Sequence, residues 1–86
     1  MPEIARFYGI SIILRVNEHR PPHFHVRYCG ESAAVAIRGP RLLEGRLRPR
    51  VRRLVLEWAA LHRDELLADW DLVESGAAPL PIAPLE

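Results

Sequence analysis

The hydrophobic pattern of this 86-residue chain changes its period once, near Pro49. Before that point apolar and polar residues alternate. Ile10, Ile12, Leu14 and Val16 interleave with Ser11, Ile13, Arg15 and Asn17, and Phe24, Val26 and Tyr28 with His23, His25, Arg27 and Cys29. A period of two places one set on each face of a strand. Residues 34–38 read as a shorter strand, residues 4–8 as a weaker one ended by Gly9, and residues 42–47 as a further short one. Turn residues separate them at Cys29-Gly30-Glu31-Ser32 and Arg38-Gly39-Pro40-Arg41. From Pro49 the pattern is helical, with Val51, Leu54, Val55, Trp58, Ala59, Leu61 and Leu66 on one stripe. Pro49 suits a first helical turn and Gly76 a helix end.

The predicted class is therefore α+β: a small antiparallel β-sheet of three to five strands, then one long C-terminal helix on one face. A single domain covers 1–86, with a β-meander over 1–47, the helix over 48–74 and an extended Pro-rich tail over 75–86. Pro79, Pro81 and Pro84 exclude helix and a central strand from that tail. Leu80, Ile82 and Leu85 are too apolar to stay in water, so the tail is expected to dock on its own sheet edge or on a second copy.

An apolar fraction of 49% and two tryptophans suffice for a core at this length. The lone Cys29 cannot form an internal disulfide, and no run nears the ~20 apolar residues of a membrane span. A cytoplasmic location is expected. Charge is split along the chain. Residues 1–53 hold eleven arginines against four acids, and residues 54–86 one arginine against seven acids, with no lysine anywhere. Arg48, Arg50, Arg52 and Arg53 crowd the helix start while Asp64, Glu65, Asp69, Asp71 and Glu74 crowd its end, the reverse of what the helix dipole favours. Such a pattern fits an anionic partner at Arg48 and Arg50, or an antiparallel copy of the same helix in a homodimer.

Three of the four histidines, His19, His23 and His25, fall within seven residues around Pro21-Pro22. Both strands of this hairpin carry apolar residues at even numbers, so their register must have an even index sum, such as 16 opposite 24. Arg15 would then face His25, Ile13 would face Arg27, and His23, His25 and Arg27 would point away from the helix. Imidazoles two residues apart on a strand, about 6.6 Å, can converge on one ion. His19 could complete a three-histidine zinc or other divalent-metal site. The same His23 and His25, beside Arg15, Arg27 and Arg38, would suit metal-independent RNA cleavage, one imidazole as base and one as acid. His62 falls mid-stripe and reads as a core histidine. Cys29 shares the histidine face, but nothing nearby marks it as a nucleophile.

Pro2-Glu3-Ile4, Arg6-Phe7-Tyr8-Gly9-Ile10, His19-Arg20-Pro21-Pro22-His23-Phe24-His25-Val26, Glu57-Trp58, Leu61-His62-Arg63-Asp64-Glu65-Leu66, Trp70 and Ile82-Ala83-Pro84-Leu85 together resemble the bacterial domain-of-unknown-function family 4160. His19, His23, His25 and His62 lie in its recurring motifs. The resemblance implies no established activity. It implies a component of a toxin–antitoxin-like module that acts by binding RNA or a cognate small protein encoded nearby. Cys29-Gly30 stands where a plain glycine turn is expected.

Overall fold

The computed structural model describes residues 2–16 and 18–86. Five strands form one antiparallel meander in the order β1 (Glu3–Phe7), β2 (Ile10–Ile13), β3 (His23–Tyr28), β4 (Glu31–Ala36) and β5 (Arg41–Arg46). Two hairpins are as tight as hairpins can be. Tyr8-Gly9 and Cys29-Gly30 are two-residue connections in which all four residues have positive φ, from 43° to 80°. That is the primed turn whose twist matches the strands. Cys29 is exposed in its turn rather than on the histidine face.

β2 ends at Ile13, earlier than the alternation predicts, and of the expected continuation Leu14 to Val16 are not strand while Asn17 lies outside the described residues. Leu14 is fully buried, with its amide donating to the Pro2 carbonyl, whereas Val16 is exposed. β2 pairs with β3 as Ser11↔Arg27, Ile12↔Val26 and Ile13↔His25. The index sum is even, as the polarity pattern requires, but it is 38 rather than 40, so Ile13 and not Arg15 stands opposite His25. Alternation fixes the parity of a register, while the long β2–β3 connection leaves a two-residue slide undetermined.

The face that carries the even-numbered residues of β2 and β3, with Val35 of β4 opposite Phe24, is the core face. Ile10, Ile12, Leu14, Phe24, Val26 and Val35 are fully buried under the helices, together with Trp58 and Leu66. Trp58 sits at the centre, its ring 5.4 Å from Phe7 and 5.9 Å from Phe24.

The predicted single helix is two: α1 (Pro49–Leu61) and α2 (Arg63–Glu74), broken at His62 with φ −113° and ψ 25°. Unbroken, residues 49–74 would run about 39 Å at 1.5 Å per residue, longer than the 33 Å greatest extent of the molecule. The kink lets α2 turn back and bury Leu66, Trp70 and Val73. It also throws Leu61, predicted on the apolar stripe, out to 68% exposure. His62 is half-buried against Trp58, with Nδ1 held by Glu65.

The break changes the charge reading as well. Asp64 and Glu65 occupy the first turn of α2, where the dipole favours acids. At the α1 start no local side chain caps the helix. Instead Glu31 of β4 accepts the Arg48 amide at 3.0 Å and the Arg48 guanidinium at 3.2 Å. The Arg48 amide first, then its guanidinium, holds the Glu31 carboxyl below its ordinary range against the opposing cost of burial.

Residues 77–86 hold no helix or strand, yet they are tied down. Leu80 N–H donates to Asp69, Ile82 N–H to the Ile4 carbonyl on edge strand β1, and Trp58 Nε1–H to the Ala83 carbonyl. Ile82 is buried and Leu80 exposed. Among the described residues no helix is long and apolar enough to cross a membrane.

Candidate functional site

The other face of the sheet, with the odd-numbered residues of β2 and β3, carries the chemistry. The nine-residue β2–β3 connection passes over the start of β3 and delivers Glu18 to the two strand histidines. Glu18 Oε1 makes a short contact with His25 Nε2 and lies 3.6 Å from His23 Nε2. The two rings are 5.2 Å apart and nearly perpendicular. One carboxylate oxygen and two ring nitrogens thus lie within 4.8 Å of one another.

His23 Nδ1 is 2.8 Å from the Pro21 carbonyl oxygen. A carbonyl only accepts, so Nδ1 carries a proton, and in the neutral ring it is Nε2, on the Glu18 side, that holds the lone pair. The Pro21-Pro22 pair serves to bring that carbonyl under the ring. On its other side His23 packs against Trp70 of α2, with centroids 5.3 Å apart. His23 therefore does not point clear of the helices as alternation predicts, whereas Arg27 is exposed. His23 is the first residue of β3, and at a strand end neighbouring elements rather than the pleat decide what a side chain meets.

Burial opposes charge on Glu18. The hydrogen bond to His25, and the positive charge of His25, His23 and Arg15, outweigh it and hold the carboxyl below its ordinary range. Glu18 is thus an anion facing two imidazoles, a donor set suited to a divalent cation.

His19 lies outside the cluster. It is exposed on the connection, and Glu18, its neighbour in sequence, occupies the third position. Nothing in the spacing singles out Glu18. A carboxylate followed by His-Arg-Pro-Pro-His-x-His is the signal that could have been weighed.

Of the arginines, Arg15 and Arg27 line a cleft of about 240 Å³ beside His25, with Ser32 and Glu44. A second cleft, of about 210 Å³, lies on the other side of His25 and is lined by Glu18, His19, His23 and Leu43. Arg38 is in the exposed turn after β4 and lines neither cleft. Arg48 is engaged with Glu31 and lies 4.9 Å over the Tyr28 ring, at the far end of β3 from His23. Arg50 is exposed in the first turn of α1. Only Arg15 and Arg27 of the five accompany the histidines.

No curated protein and no solved structure matches the chain. The family model for the domain of unknown function DUF4160 matches residues 9–71, which takes in strands β2 to β5, the Glu18/His23/His25 cluster and both helices up to Asp71. With most of its length matched, the chain belongs to the DUF4160 family.

Proposed function

We propose that this protein binds a divalent metal ion of the zinc class through Glu18 Oε1, His23 Nε2 and His25 Nε2. One observation carries the reading: three ligand atoms from separate side chains converge within 4.8 Å, and the Pro21 carbonyl fixes the tautomer that leaves His23 Nε2 free. A metal-bound histidine commonly donates its other ring N–H to a carbonyl or carboxylate. His25 Nε2 meets the Glu18 oxygen directly, whereas the lone pair of neutral His23 faces the same oxygen at 3.6 Å without a hydrogen between them, which a cation placed among them would resolve. Two nitrogens and one carboxylate are a known catalytic zinc set that leaves a position open for water or substrate. When bound there, such an ion supplies a Lewis acid and an activated water.

Calorimetry with zinc at neutral pH tests this. Saturable binding that His23→Ala or His25→Ala abolishes, and that His19→Ala leaves intact, supports the centre; heat of dilution alone sinks it.

A second reading is favoured by the direct Glu18–His25 contact. The carboxylate would orient His25 as a base while His23 serves as acid in metal-independent RNA cleavage, with Arg15 and Arg27 on the phosphate. Cleavage that persists in EDTA with a bell-shaped pH profile would select this reading over the metal centre. For the cellular setting we propose the toxin–antitoxin-like module that the family resemblance implies. It is tested by whether the neighbouring gene product co-purifies on co-expression.

A further inference from the structure

We infer that the cleft beside His25 is a phosphate subsite in which Arg15 and Arg27 hold the oxygens of a phosphodiester next to the metal centre. The inference rests on the metal reading of Glu18, His23 and His25, and adds to it the class of substrate. Arg15 carries most of the argument. Among the described residues its guanidinium has no acid within ion-pair distance, and its Nε is buried with no hydrogen-bond acceptor. An N–H withdrawn from water without an acceptor is costly, and an acceptor arriving with a ligand completes it. Arg15 also lines the hollow that holds Glu18, Trp70 and Val73, so it stands between the metal cluster and the cleft.

Arg27 is exposed on the same face, and Ser32, its cross-strand partner, adds a hydroxyl to the wall. Two guanidinium forks can share the two non-bridging oxygens of a phosphodiester, which tetrahedral phosphorus splays out of a single plane with the ester oxygens. The clefts on either side of His25 share Ala34 and Glu44 as lining. Together they border both sides of His25 on this face of the sheet. Glu44 is the one acid in the Arg15 cleft. It penalises a doubly charged monoester more than a singly charged diester.

The test uses the full chain, zinc-loaded and EDTA-treated, with dimethyl phosphate and inorganic phosphate as probes, followed through the arginine Nε–H resonances. The expected result is a saturable shift of the Arg15 Nε–H signal with dimethyl phosphate. It should be at least tenfold weaker in Arg27→Gln, with zinc affinity unchanged, and stronger in Glu44→Gln. Arg27 and Glu44 are exposed, so these variants report binding rather than folding. Zinc binding with no response at Arg15 overturns the subsite while the metal centre stands. If zinc does not bind, the metal reading falls: a shift in the EDTA-treated chain then supports the anion site by itself, and no shift removes both. A response to inorganic phosphate only overturns the diester assignment.

Discussion

His23 Nδ1 donates to the carbonyl oxygen of Pro21 at 2.8 Å, and this single bond decides which nitrogen of the ring can act. It makes Nε2 the basic atom and aims it at Glu18, while Trp70 closes the opposite side of the ring. A turn residue, a strand residue and a helix residue thus combine to orient one imidazole. The first prediction concerns the cluster so formed. Glu18→Gln keeps the shape but removes the anionic ligand, and should weaken zinc by more than the roughly 10–100-fold that loss of a supporting group costs. Acidification should release the ion, because a protonated imidazole has no lone pair to give. Zinc affinity measured at several pH values checks both; a pH-independent affinity, or Glu18→Gln equal to the parent, would place the ion elsewhere.

Trp58 is fully buried and in contact with Phe7, Phe24 and His62, and its Nε1–H holds the Ala83 carbonyl. Trp58→Ala should therefore cost about 3–5 kcal/mol, enough to unfold a domain of this size. Chemical denaturation reads this directly. A variant that melts within a few degrees of the parent would mean the indole is not central.

Much of this arrangement was legible in the sequence. Alternation placed Phe24 and Val26 in the core and His25 on the other face, and the helical stripe placed Val51, Val55, Trp58 and Ala59 against them. The misses have definite physical origins. The break at His62 depends on the length of the sheet beneath it, which no local window contains. The β2–β3 slide depends on how the Glu18–Pro22 segment folds over β3. Glu18 displaced His19 from the cluster because side-chain reach from a turn is set by the path of the backbone, and spacing alone does not encode that path.

Asp69 is buried, with Oδ1 accepting the Leu80 amide at 2.9 Å and Oδ2 without a partner. Burial pushes its carboxyl above the ordinary range, the Leu80 bond opposes, and the charge of Glu65 adds to the rise. A raised acid favours the folded state most when protonated. Its contribution is therefore fully present below the unfolded value and is lost as pH rises through the native one. Asp69→Asn does not titrate. The stability of the variant relative to the parent should shift in favour of Asn from acidic to neutral pH, as read from urea midpoints of metal-free protein. A constant difference across that range would show that Asp69 does not titrate in the folded state above its unfolded value.

Gly45 of β5 has φ +85°, and a Cβ there would lie 2.3 Å from the Ser32 carbonyl oxygen and 2.6 Å from Ala33 Cα. Gly45→Ala thus meets both a strained backbone, about 1–3 kcal/mol, and a clash with the backbone of β4. The expected result is a destabilised protein in which amides of β5 lose hydrogen-exchange protection before those of β3. Unchanged protection along β5 would contradict the close approach of the two strands.

The tail supplies the last prediction. Leu80, Ile82 and Ala83 tie it to Asp69, Ile4 and Trp58, so Ile82 is buried within the chain and the free edge of β1 is covered by its own C-terminus. Ending the chain at Ala78 removes a buried isoleucine, about 2 kcal/mol, and three hydrogen bonds at about 1 kcal/mol each. The shortened chain should lose most of the stability of a small domain. Because the tail is used internally, we propose that self-association rests on the helices: the arginines at the start of α1 against the exposed Asp71 and Glu74 of a second copy across a two-fold axis. Light scattering at tens of micromolar should then show a dimer that dissociates as salt rises, since exposed pairs are screened over about 10 Å at 0.1 M. A monomer at low salt would end the self-pairing account and turn the basic start of α1 toward a different, anionic partner. A dimer indifferent to salt would mean that apolar contacts, with the exposed Leu61 the first to substitute, hold the copies together.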